Sequence, residues 1–173
     1  MLKREQLHDY QKYCIQFIED HPESIMILQM GLGKSVCALT ACLDMTFDSF
    51  QVHKTLVIAP LRVARDVWPA ECEETWEHTQ FLKMSVVVGN AKNRAAALET
   101  DADIYVVNRE NIKWLVEYFE KQHKPWPFDF CIIDELSSLK NYRSQRFMYL
   151  KKVRPFMNRI VGLTGTPASN GLL

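Results

Sequence analysis

No apolar run in this chain approaches the about 18 residues that a membrane-crossing helix needs, which argues against a membrane partner. The amino terminus offers no apolar core of a secretory signal either: Met1-Leu2-Lys3-Arg4-Glu5 leads into polar sequence. Cysteine is present without a pattern. Cys14, Cys37, Cys42, Cys72 and Cys131 form an odd set with no Cys-x-x-Cys spacing, which speaks against a disulfide framework and against zinc. Most fall at apolar positions of expected elements, as reduced core cysteines do, and an intracellular, cytoplasmic setting (nuclear in a eukaryote) is expected. Net charge is missing too, since 21 Lys+Arg balance 21 Asp+Glu, so no global field recruits a nucleic acid. Repeats, low-complexity stretches and linkers are absent, and 173 residues fit one domain spanning 1–173.

The charge that is there is unevenly placed. Residues 66–77 carry five acids and no Lys or Arg, whereas residues 140–159 carry seven Lys/Arg and no acid. Two solvated helix faces of opposite sign would explain this, and so would a basic face for a polyanion. Tyr10, Tyr13, Cys14 and Phe17 recur at helical spacing and predict an amphipathic helix ending near His21-Pro22, with Tyr10 and Tyr13 toward the core. Short apolar, largely β-branched runs follow at 25–28, 55–58, 85–88, 104–107, 130–133 and 160–163. Helical segments separate most of them, at 34–45, 61–75, 91–98, 109–121 and 143–153, with Pro69 expected to break or restart the second of these. Continuous apolar strands alternating with helices give an α/β fold, a parallel sheet with helices on both faces.

Met30-Gly31-Leu32-Gly33-Lys34-Ser35 stands between the first strand and the helix at 34–45. Glycine lets the backbone curl so that successive N–H groups face one anion, and the helix start adds a positive dipole end. Lys34 would reach the β/γ-phosphates of a nucleotide, and the Ser35 hydroxyl would ligate Mg²⁺. The generic phosphate loop has Gly where this chain has Leu28. In such a sheet, ligands bind at the carboxyl ends of the strands. The fifth strand ends at Asp134-Glu135: the aspartate suits Mg²⁺ held through water, and the glutamate suits polarising an attacking water. The sixth ends at Thr164-Gly165-Thr166-Pro167, whose hydroxyls suit sensing a γ-phosphate or capping a turn.

Five blocks in this order resemble the first RecA-like domain of superfamily-2 helicases, the DEAD/DEAH-box class, and most closely its Swi/Snf-like DNA translocase branch. Leu7-x-x-Tyr10-Gln11 resembles the block whose glutamine recognises adenine; Met30 to Ser35 is similar to that family's phosphate loop, which also lacks the first glycine. Ala59-Pro60-Leu61 resembles the block that contacts the DNA backbone, with Arg62 beside it. Asp134-Glu135 with Leu139-Lys140-Asn141 and Ser144 resembles the acidic box and its extension, and Leu163 to Pro167 with Asn170 the coupling block. The resemblance implies a P-loop ATP hydrolase using ATP and Mg²⁺, with Lys34, Asp134 and Glu135 catalytic and Ser35 and Asp134 on the metal. It implies that Gln11, Met30, Gly31, Leu32, Gly33, Lys34 and Ser35 hold the nucleotide. Ser137, Thr164, Gly165 and Thr166 would couple, and Pro60, Arg62 and Lys140 would meet nucleic acid.

Three departures bear on this. Leu136-Ser137 stand where the family has Ala-His, which touches coupling, and Gln29 replaces a usual acid before the loop. The family's second RecA-like domain, source of arginine fingers and half of the nucleic-acid cleft, is not among the 173 residues. A chain without it is expected to bind ATP, to hydrolyse it slowly or not at all, and to hold duplex DNA weakly. The alternatives are a self-sufficient P-loop NTPase or kinase, a DEAD-box RNA helicase, and a non-hydrolysing module that binds DNA or protein.

Overall fold

A computed structural model describes residues 1–139 and 144–165. Among these residues six strands form one all-parallel sheet: β1 (Glu23–Ile27), β2 (Thr55–Ala59), β3 (Met84–Val87), β4 (Ile104–Asn108), β5 (Phe130–Asp134) and β6 (Arg159–Thr164). Their spatial order is β1-β6-β5-β2-β4-β3. The helices are α1 (Asp9–Asp20), α2 (Lys34–Phe47), α3 (Trp68–Ala70), α4 (Ala91–Glu99), α5 (Ile112–Lys121) and α6 (Gln145–Val153).

Strand alternation divides the core in two. Val57, Ala59, Ile104, Val106, Phe130 and Ile132 face the cluster under α1 and α2, while Leu56, Ile58, Tyr105, Val107, Cys131 and Ile133 face the one under α5 and α6. Both sheet faces are covered, which is why these strands read as unbroken apolar runs. α2 is buried almost throughout, from Val36 to Cys42 and again at Met45, so the helix that starts at the phosphate loop is anchored deep in the domain. Side chains such as Leu39 and Met45 each contribute about 1.5–3 kcal/mol on burial. Four of the five cysteines are buried and all are free.

Two expectations need correction. In α1 the buried stripe is Gln11, Ile15 and Ile18. Tyr13 is 70% exposed, and Tyr10 and Phe17 are 39% and 37% exposed, so the aromatic row faces outward, where Phe17 stacks on His21. Pro69 does not break its helix. The chain is helical from residue 61 to 75, with wide π-turns at Val63–Val67 and Glu71–Thr75 on either side of α3. Trp68 N–H reaches back to the Val63 carbonyl, and this wider turn makes room for a proline ring that would otherwise strike the carbonyl four residues back.

The two charged runs also separate in the fold. Glu73, Glu74 and Glu77 lie exposed at the end of the 61–75 helix and just past it, a solvated acidic face. Three members of the basic run are tied into the fold instead. Arg154 pairs with Glu23, Lys152 with Glu120, and Arg159 donates to the Ile18 carbonyl and to Gln51.

Candidate functional site

Three neighbouring strands deliver the expected chemistry to one edge. β6 lies between β1 and β5; Ile27 pairs with Thr164, and Asp134 with Leu163. The phosphate loop, Asp134-Glu135 and Thr164-Gly165 therefore leave the sheet side by side at its carboxyl end, where α/β sheets bind ligands.

The loop's shape follows from its glycines. Gly31 and Gly33 have φ of +85° and +83°, the left-handed region that side chains disfavour. A Cβ on Gly31 would meet nothing within 4 Å among the described residues, so there is open space on that side of the loop. Gly33 caps α2, and the first-turn amides that follow have no intrahelical partner, which suits an anion. Lys34 and Ser35 open α2, and a Cβ built on Gly165 would lie 3.9 Å from Lys34 Nζ, so the ammonium spans from the loop to the end of β6. Met30 is 91% exposed, at the loop's outer tip.

Gln11 is packed beneath the loop. It is 5% exposed, its Oε1 accepts from His8 N–H at 2.8 Å and its Nε2 donates to the Leu32 carbonyl at 3.2 Å. Tyr10 Oη donates to the same carbonyl at 3.0 Å. A carboxamide has a second donor hydrogen and a second lone pair beyond these two bonds.

Asp134 ends β5 and lies largely inside. Burial pushes its carboxyl above the ordinary range; the Trp68 indole bond opposes this, the Glu135 charge adds to it, and Lys34 opposes it again. The indole bond, Trp68 Nε1–H to Asp134 Oδ2 at 2.9 Å, comes from a fully buried side chain. Sequence reasoning missed this partner. Its one signal was general: a core tryptophan needs an acceptor for its N–H. Glu135 adopts φ of +59°, an outlier for a side-chain-bearing residue and of the kind that clusters at functional sites.

The remaining expected residues are placed as follows. Thr164 is buried at the end of β6. Ser137 falls in the 3-10 turn Leu136–Leu139. Pro60 and Arg62 follow β2, with Arg62 exposed. Lys140, Asn141, Thr166, Pro167 and Asn170 lie outside the described residues.

The donor set fits a nucleotide with Mg²⁺. No three His, Cys, Asp or Glu side chains converge as a metal site among the described residues. A hydroxyl at a helix start and one carboxylate are what Mg²⁺ uses when phosphates and water complete its shell. No helix among the described residues is long and apolar enough to cross a membrane.

A parallel sheet whose carboxyl edge carries a glycine loop with lysine, an acidic pair and a Thr-Gly turn defines a RecA-like P-loop domain of the superfamily-2 helicase class. Within that class the chain belongs to the SNF2-related domain family, whose model matches residues 7–173. It is 37% identical over 170 residues to protein p41 of Acyrthosiphon pisum secondary endosymbiont phage 1, covering 95% of this chain and 36% of that protein. It is 30% identical to the ATP-dependent helicase MG018 of Mycoplasma genitalium, covering 96% of this chain and 16% of that one. The chain thus spans about a third or less of these relatives. Among solved structures, the Sulfolobus solfataricus SWI2/SNF2 ATPase core in complex with dsDNA superposes with a TM-score of 0.76 at 22% identity, over 95% of this chain and 33% of that one. The UvsW helicase of bacteriophage T4 superposes with 0.70 at 17% identity, over 95% and 54%. These two likenesses establish the fold.

Proposed function

We propose that this chain is the ATP-binding lobe of a DNA-dependent ATPase of the helicase and translocase type. It would couple hydrolysis to movement on duplex DNA when joined in cis to a second RecA-like lobe. The observation that carries the reading is the convergence of Lys34, Asp134-Glu135 and Thr164-Gly165 on adjacent strand ends β1, β5 and β6. Lys34 and the α2 amides would hold the β/γ-phosphates, and Ser35 and Asp134 would hold Mg²⁺, which would supply charge neutralisation there. Glu135 polarises the attacking water, and Gln11 reads adenine. Ser137, Thr164, Gly165 and Thr166 link the nucleotide to the rest of the motor, and Pro60, Arg62 and Lys140 meet the DNA backbone. The likeness to MG018, named as an ATP-dependent helicase, and to the Sulfolobus core, which is bound to dsDNA, supports this reading.

Hydrolysis also needs positive charge on the γ-phosphate as the bond breaks, and arginine fingers contribute about 10³–10⁵ in rate in related phosphoryl-transfer systems. The family's arginines come from the second lobe, so residues 1–173 bind ATP far better than they turn it over. The test is phosphate release by residues 1–173 with and without duplex DNA, beside a chain that continues into a second lobe. DNA-stimulated turnover only in the longer chain is expected. Robust DNA-stimulated turnover by residues 1–173 would refute the two-lobe reading and favour a self-sufficient NTPase.

A further inference from the structure

The 61–75 helix is bent by two π-turns around a proline, and the residue held at its centre is Trp68. Such wide turns are rare and recur at functional sites. Here they bring a large aromatic ring to the carboxyl end of β5. Trp68 is 0% exposed and its indole N–H meets Asp134 Oδ2 at 2.9 Å. Indole nitrogen is a donor only, with one hydrogen in the ring plane, so a locked ring fixes the direction from which the carboxylate is held. Asp134 follows four buried strand residues, so its backbone is fixed, and its side-chain torsions are left for a partner to set.

We propose that Trp68 is a positioning residue for the metal-bearing carboxylate: its N–H holds one oxygen of Asp134 so that the other is presented to the magnesium shell. This rests on the ATP reading above and deepens it. Partners that hydrogen-bond a metal-binding carboxylate set its orientation, and their removal typically costs about 10–100-fold in metal affinity. A tryptophan that only filled space would have no such effect, because a ring of equal size without the N–H would serve as well.

The test uses the whole chain with Trp68 replaced by 3-benzothienylalanine, an isostere in which sulfur takes the place of the N–H, and separately Trp68→Phe. ADP affinity is measured by calorimetry with and without Mg²⁺, and indole ¹⁵N–¹H resonances are recorded for the unmodified chain and for Asp134→Asn. The isostere is expected to weaken Mg²⁺-dependent ADP binding about tenfold or more while leaving Mg²⁺-free binding near its original value. The Trp68 indole resonance is expected to shift with Asp134→Asn and again on adding Mg²⁺ with ADP. The isostere removes no volume, so its result stands even where Trp68→Phe lowers stability. Equal Mg²⁺-dependent affinity in the isostere and the unmodified chain, or an indole resonance indifferent to Asp134→Asn, would overturn the proposal alone. Failure of the unmodified chain to bind ADP with or without Mg²⁺ would overturn the ATP reading, and this proposal with it.

Discussion

Gly33 is constrained twice, and the two constraints can be separated by substitution. Its φ of +83° penalises any side chain, and a Cβ there would overlap Gln11 Nε2 and press on Val36 Cγ1 at 3.1 Å. The left-handed backbone costs alanine about 1–2 kcal/mol. The clash is with the tip of a flexible side chain, so it is relieved by displacing Gln11, which gives up its bonds with His8 N–H and the Leu32 carbonyl. Two such bonds contribute about 0.5–1.5 kcal/mol each. Gly33→Ala should therefore cost about 2–5 kcal/mol in all. Gly31 is the control, with φ of +85° but nothing within 4 Å of a Cβ among the described residues, so Gly31→Ala should cost only the backbone part, about 1–2 kcal/mol. Urea unfolding of the two variants, and of each in a Gln11→Ala background, measures the difference. In that background the gap between Gly33→Ala and Gly31→Ala should narrow to what the remaining tight contact with Val36 Cγ1 imposes. Equal costs for the two glycines in the unmodified background, or a gap undiminished by removal of Gln11, would refute the reasoning.

Lys34→Ala should weaken ATP binding at least about tenfold without unfolding the domain, because charge-assisted hydrogen bonds contribute about 1.5–3 kcal/mol each; calorimetry showing unchanged affinity would end that assignment. Gln11→Ala should erode a preference for ADP over GDP, and equal affinity of the unmodified chain for both nucleotides would remove the basis for it. Glu19 is pushed up to about 8 by burial and by its contact with Asp44, beside Arg4. The folded state thus holds a proton that the unfolded state releases near the ordinary value of 4.5, so this contribution is complete below that value and is lost as pH rises toward about 8. Urea midpoints should fall across that window, and Glu19→Gln should flatten the fall; a variant with the same slope would refute the assignment.

Much of the architecture was readable because strands buried on both faces leave a plain mark in sequence. Each apolar run became a strand, with the first beginning earlier than expected, at Glu23. Helix starts are set by caps: Asn90 accepts from Asn93 N–H at α4, which begins at Ala91 as expected, and Ser144 from Phe147 N–H at α6, which begins at Gln145, later than the expected 143. The face of α1 was misread because Tyr10, Tyr13 and Phe17 repeat with the same period as Gln11, Ile15 and Ile18. Periodicity identifies a helix, but not which of two interleaved stripes meets the sheet. The buried stripe includes a glutamine because the loop carbonyl of Leu32 satisfies its amide. At Pro69 a local rule was overridden by burial of Ala64, Trp68 and Cys72 along one side of a helix that widens its turns. Trp68 and Asp134 are 66 residues apart, and no local pattern links them.

Among the described residues β1 is the outermost strand of the sheet, paired with β6 along one side. The Pro22 carbonyl accepts from Ile160 N–H and Leu28 N–H donates to the Thr164 carbonyl, so the even-numbered residues between them point their peptide groups at β6. Glu23, Ile25 and Ile27 point theirs the other way, because successive peptide groups alternate in a parallel ladder. Within one short strand, therefore, the amides of Ser24 and Met26 should exchange slowly with solvent deuterium and those of Ile25 and Ile27 quickly. The phosphate loop hangs from this half-shared strand on one side and from the buried α2 on the other. Slow exchange at Ser24 and Met26 would thus time the opening of the loop's looser hinge, and anything that occupies the outer edge of β1 would slow Ile25 and Ile27 as well.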